Sequence, residues 1–148
     1  MILDQLLTLA DNQAVTVDAI SHTIDRGSTA PVLANYSPGF AGDLFLVIQT
    51  GTAFAGGTSI DFRLVSDSTP DLATSPTVHA STGAVPVAQL TANKVVAILP
   101  IPPGDYERYV GLVFDATGTF TAGTIRAFLT QTPGFYWKMA SNNPQARN

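Results

Sequence analysis

Residues 109–130, YVGLVFDATGTFTAGTIRAFLT, constrain the fold more than any other stretch of the chain. Two runs of alternating apolar residues flank a segment rich in glycine and threonine. In the first run Val110, Leu112 and Phe114 share one side, while Gly111, Val113 and Asp115 share the other. In the second, Ile125, Ala127 and Leu129 oppose Thr124, Arg126, Phe128 and Thr130. Successive side chains point to opposite faces of a strand, so each run carries one apolar face. Gly118 and Gly123 allow positive φ in the connecting ATGTFTAG. The spacing predicts a long antiparallel hairpin near the centre of a sheet.

Composition extends this expectation to the whole chain. Charged residues make up only 12% of the 148 residues. Glu107 is the one glutamate, and Lys94 and Lys138 are the two lysines. Helix surfaces are usually dressed with Glu and Lys, so their scarcity argues against much helix. The abundance of Thr, Ser, Gly, Val and Ala suits strands and tight turns. A chain of this length buries enough surface for one core without covalent staples. There is no cysteine, which excludes disulfides and cysteine-based metal sites. The net charge is −4 with no basic run, which argues against a nucleic-acid groove. The longest apolar runs, Leu44–Ile48 and Val95–Leu99, are strand length, and no stretch reads as a transmembrane helix or a secretion signal.

Along the chain, the leucine-rich start MILDQLLTLA permits one or two helical turns or an extended arm ordered by contacts, and the arm is preferred. Ala14 to Asp18 reads as a short strand. His22 and Asp25 lie three apart and face opposite ways in a strand, so Asp25 is expected to cap a turn at Arg26-Gly27 rather than share a metal. Residues 28–43 read as a surface loop stiffened by Pro31 and Pro38. Leu44 to Thr50, apolar on both faces, reads as a central sandwich strand. Ser59 to Ser66 alternates cleanly, and Asp61 and Arg63 share a face within reach of an ion pair. Asp67, Ser68 and Asp71 fall in a loop whose spacing matches no EF-hand, so a solvated turn is expected. Thr77 to Ser81, Pro86 to Leu90 and Lys94 to Leu99 read as three further strands. Pro100, Pro102 and Pro103 then interrupt the ladder. About eight strands with regular turns imply an all-β, jelly-roll-like antiparallel β-sandwich with N- and C-terminal extensions. The expected division is a single domain over 1–132 with an N-terminal arm over 1–13, followed by a tail over 133–148.

No Gly-x-Ser-x-Gly, His-Glu-x-x-His or phosphate-cradling loop is present. His22 and His79 sit in ordinary segments, and most carboxylates sit in turns. The expectation is therefore a non-enzyme with no catalytic residue, cofactor or metal. The residues best suited to grip a partner are the apolar ones near the termini. These are Ile2, Leu3, Leu6 and Leu7 at the start and Phe135, Tyr136 and Trp137 in the tail. The competing account is that both segments cap the protein's own core. An alternative function is a sugar- or receptor-binding module, with Tyr36, Phe40, Tyr106 and Tyr109 as the aromatic platform.

Two blocks carry a family resemblance. One is RYVGLVFDATGTFTAGTIRAFL. The other is LADNQAVTVDAISHTIDRG, with Asp11, Gln13 to Thr16, Ile24, Asp25 and Gly27. FRLVSDS at Phe62 to Ser68 and VAILP at Val96 to Pro100 fit between them. Over roughly residues 1–131 the chain resembles the phage capsid cement, or decoration, proteins of tailed, mainly short-tailed, bacteriophages. The tail after Thr132 departs from that pattern. The resemblance implies a jelly-roll-like sandwich on the outer surface of an icosahedral capsid. It also implies the major capsid protein as partner and frequent homodimers.

Overall fold

A computed structural model describes residues 5–27 and 44–134. The chain opens with a 3₁₀ turn, Gln5–Leu7, followed by β1 (Thr8–Ala14), β2 (Ala19–Ile20) and β3 (Ile24–Asp25). Next come β4 (Phe45–Thr50), β5 (Ala55–Gly56), β6 (Ser59–Asp67) and β7 (Thr77–Pro86). A second 3₁₀ turn, Val87–Gln89, leads to β8 (Val95–Pro100), β9 (Tyr109–Thr117), β10 (Phe120–Ala122) and β11 (Thr124–Thr130). Residues 5–27 and 44–130 hold no α-helix.

The strands form two antiparallel sheets packed as a sandwich. One has the order β1-β11-β4-β8; the other runs β2-β9-β6-β7, with β3 also pairing β9. A small β10-β5 pair lies beside them. Because β2 and β3 both pair β9, they act as one interrupted strand. Apart from the small β10-β5 pair, the pairing is then nested: β1 lies beside β11, β2 and β3 beside β9, β4 beside β8, and β6 beside β7. This is jelly-roll connectivity.

The alternating patterns drive the packing. Ile60, Phe62 and Leu64 from β6 meet Leu112 and Phe114 from β9, and all are buried. Leu46 and Ile48 from β4, and Ile125, Ala127 and Leu129 from β11, close the same core from the opposite sheet. Phe62 and Phe114 are cross-strand partners whose rings stand edge to face, with centroids 5.8 Å apart. That arrangement suits the quadrupoles of two aromatic rings.

The expected hairpin over 109–130 is not formed. Strand β9 lies in one sheet and β11 in the other, so the glycine-rich segment crosses the sandwich edge. Two alternating runs around a flexible connection look the same in sequence whether the strands pair or face one another. Here Phe120 decides between them. It turns into the core, and its ring meets that of Phe54 edge to face, with centroids 5.3 Å apart. Gly123 permits the turn: its φ is 140°, and a Cβ there would land on the Phe54 ring.

Other expectations hold or shift. The central strand over Leu44 to Thr50 is β4, flanked by β11 and β8. Ser59 to Ser66 is β6 with the expected alternation. The strand expected over Ala14 to Asp18 is absent; Thr8–Ala14 pair with β11 instead, so the second half of the expected arm is an edge strand of the sheet. Thr77 to Pro86 is one continuous strand, and the strand expected over Pro86 to Leu90 is a 3₁₀ turn. Pro100 ends β8, as a residue without an N–H should. The loop expected over 28–43 lies outside the described residues.

Candidate functional site: interaction surfaces and polar clusters

Of the expected gripping residues, Leu6 and Leu7 fall within the described residues. Both lie in the first 3₁₀ turn and point differently. Leu6 is 80% exposed, while Leu7 packs partly buried against the main core. Ile2, Leu3, Phe135, Tyr136 and Trp137 lie outside the described residues. The tail expected over 133–148 does so from residue 135 onward.

The turn borders a shallow groove of about 350 Å³ on the outer face of the β1-β11-β4-β8 sheet. Gln5, Thr8, Asp11, Gln49, Arg126 and Phe128 contribute to its walls. Arg126 donates from Nε to Asn12 Oδ1 at 2.8 Å. Beside the groove, Val47, Val95 and Phe128 form a second buried cluster, with Ile98 packed against it. It lies on the outer face because Val47 alternates with Leu46 and Ile48, which face the core. The two-sided apolarity of FLVIQT therefore serves two clusters. Other exposed apolar positions are Val17 and Ile20 around β2, and Val78 on the outer strand β7.

The charged residues mostly hold backbone turns. Asp25 accepts from Arg108 Nε and Nη2, each at 2.8 Å, and from the Gly27 amide at 2.8 Å. The Arg108 hydrogen bond, helped by the Gly27 amide, holds its carboxyl at about 2. Asp25 is thus a turn cap, as expected, and it also ties β3 to the start of β9. Asp61 and Arg63 form the expected pair at 2.7 Å, and Arg63 also reaches Asp115 across the sheet.

Asp67 departs from the solvated turn expected for its loop, because it is fully buried. Its carboxylate accepts from the amides of Ser68, Thr74 and Ser75 and from the Ser68 hydroxyl. Burial pushes the carboxyl up, but these hydrogen bonds outweigh it and hold it below the usual range. Asp71 accepts from Thr69 Oγ1 and the Ala73 amide. The loop folds around its own carboxylates. Among the described residues, no three His, Asp or Glu side chains gather in a way that could hold a metal ion.

One cluster had no sequence signal. His79 on β7 stacks on Tyr106, with ring centroids 3.7 Å apart and planes 21° apart. Its Nε2 lies 2.7 Å from Ser66 Oγ on β6. Ser66 Oγ also accepts from the Glu107 amide at 3.0 Å. Arg26 donates from Nη1 to the carbonyls of Tyr106 and Glu107. Burial raises the Tyr106 phenol to about 12, and its hydroxyl donates to Pro102 O at 2.7 Å. A Ser–His contact suggests a nucleophile and base. Ser66, however, is fully buried and doubly bonded, so its hydroxyl is closed to a substrate. Its partners are far apart in sequence and common in type, which is why no motif announced them. Tyr106 is therefore not an open aromatic platform. Tyr109 lies under the Arg108 guanidinium, 4.9 Å from its ring centroid, while Tyr36 and Phe40 lie outside the described residues.

The fold is an all-β antiparallel sandwich whose described charges mostly hold turns and cross-strand pairs. The chain belongs to the Bbp16 family of phage proteins, whose family model matches residues 9–129. The match runs from Leu9 in β1 to Leu129 in β11, and so spans the entire nested pairing. No curated protein matches the chain.

Proposed function

We propose that this phage protein is a structural component of the virion. It binds the outer surface of an assembled capsid and bridges adjacent major capsid protein subunits, stabilising the shell. Membership of a phage protein family over the whole sandwich carries this reading, together with the cement-protein resemblance of the same span. The sandwich supplies a rigid block, and contacts at its margins supply the grip. Leu6 is the first such contact, with Ile2, Leu3, Phe135, Tyr136 and Trp137 assigned the same role. Weak contacts repeated across a lattice add through effective concentration. We further propose that the protein acts as a homodimer without a cofactor, since sheet edges favour being covered.

Cosedimentation with purified empty capsids tests the reading, with binding to a glycan array in parallel. Saturable binding to capsids, and a higher rupture temperature for decorated shells, is the expected result. Glycan binding without capsid binding, or equal stability of bare and decorated shells, overturns it.

A further inference from the structure

We propose that the His79–Ser66 contact is a proton-sensitive latch. In its neutral state it ties the outer strand β7 to β6 and to the segment before β9; protonation of His79 releases it.

Ser66 Oγ accepts the Glu107 amide, so its own proton is free to point at His79 Nε2. The latch assigns that proton to the line toward Nε2, which makes the ring neutral with its own proton on Nδ1. Protonation places an N–H on Nε2, opposite the serine O–H. Ser66 is fully buried, so its displaced proton finds no water. An unmade hydrogen bond at a buried site is costly, and the contact opens instead. Tyr106 covers one face of the ring.

The surroundings also favour the neutral state. Among the described residues, the charged and titratable groups around the ring are Tyr106 and Glu107 before β9, and Arg26 beyond β3; β6 presents the uncharged Ser66, followed by Asp67, whose carboxylate is held by its own loop. Burial lowers the affinity of His79 for a proton; Glu107 opposes this and Arg26 reinforces it. Glu107 is partly engaged by Thr77 Oγ1 at 3.3 Å, and Arg26 spans the Tyr106 and Glu107 carbonyls. Releasing His79 therefore loosens β7, which among the described residues pairs with β6 alone. The result is a strand edge whose order depends on pH in the range where histidine titrates.

The linkage has a definite direction. A histidine whose folded pKa lies below its unfolded value of 6.5 binds fewer protons when folded. Its contribution is complete above the unfolded pKa. It declines as pH falls below that value and is gone below the folded pKa.

The test is an NMR titration of the His79 imidazole in the full chain, together with amide-exchange protection factors for β7. The wild type should titrate below 6.5, and β7 protection should fall by roughly tenfold between about pH 7 and about pH 5. H79Q should show no such pH-dependent fall. S66A keeps the histidine and should move its titration upward, which covers the case in which H79Q fails to fold. Titration of wild-type His79 at or above 6.5 overturns the latch. So does an equal pH-dependent fall in protection in H79Q, or an unmoved titration in S66A.

Discussion

Phe120→Ala tests the crossing between the sheets. In a hairpin, residue 120 would sit at an exposed tip, and its loss would matter little. In this fold its ring is 2% exposed, stands edge to face with Phe54, and lies against the Cα face of Gly57. Truncating such a ring removes its transfer free energy and leaves a cavity, for a loss of about 3–5 kcal/mol. Of that, about 1 kcal/mol is the ring–ring contact. Domains of this size have roughly 5–15 kcal/mol of stability in total, so the loss is a large fraction of it. The melting temperature should fall by roughly 6–20 °C. Urea unfolding followed by far-ultraviolet circular dichroism measures the change at an unaltered m-value. Phe54→Ala in the Phe120→Ala background should cost less than it does alone, because the partner ring is already gone. A loss below about 1 kcal/mol for Phe120→Ala would refute the crossing and restore the hairpin.

Three further outcomes are expected. Gly123→Ala should destabilise by about 2 kcal/mol or more, because the backbone is held at positive φ and the new methyl meets Phe54; thermal melts measure it. Asp25 has a folded pKa near 2, below its unfolded value of 3.8, so its stabilisation is present above the unfolded value and lost as pH falls through the folded one; an acid titration of D25N should lack that loss, and a wild-type-like profile counts against it. Leu6→Ser should leave the melting temperature nearly unchanged but weaken capsid cosedimentation by roughly tenfold; unaltered capsid binding would remove Leu6 from the grip.

The strand content was legible in sequence because alternation and turn residues are local signals. The runs at Phe45–Thr50 and Ser59–Asp67 became strands in the expected places, and the scarcity of Glu and Lys agreed with the all-β sandwich. Asp25 as a cap and the Asp61–Arg63 pair were also legible, since each depends on neighbours within a few residues. Alternation shows which face of a strand is apolar but does not identify the strand opposite it. Whether 109–117 and 124–130 paired or faced each other depended on where Phe120 found its partner, Phe54, 66 positions away in the chain. The burial of Asp67 and the His79–Ser66–Tyr106 cluster likewise arise from contacts that exist once the sheets have closed. Periodicity is written into a segment, whereas partnership depends on the free energy of burying many segments together.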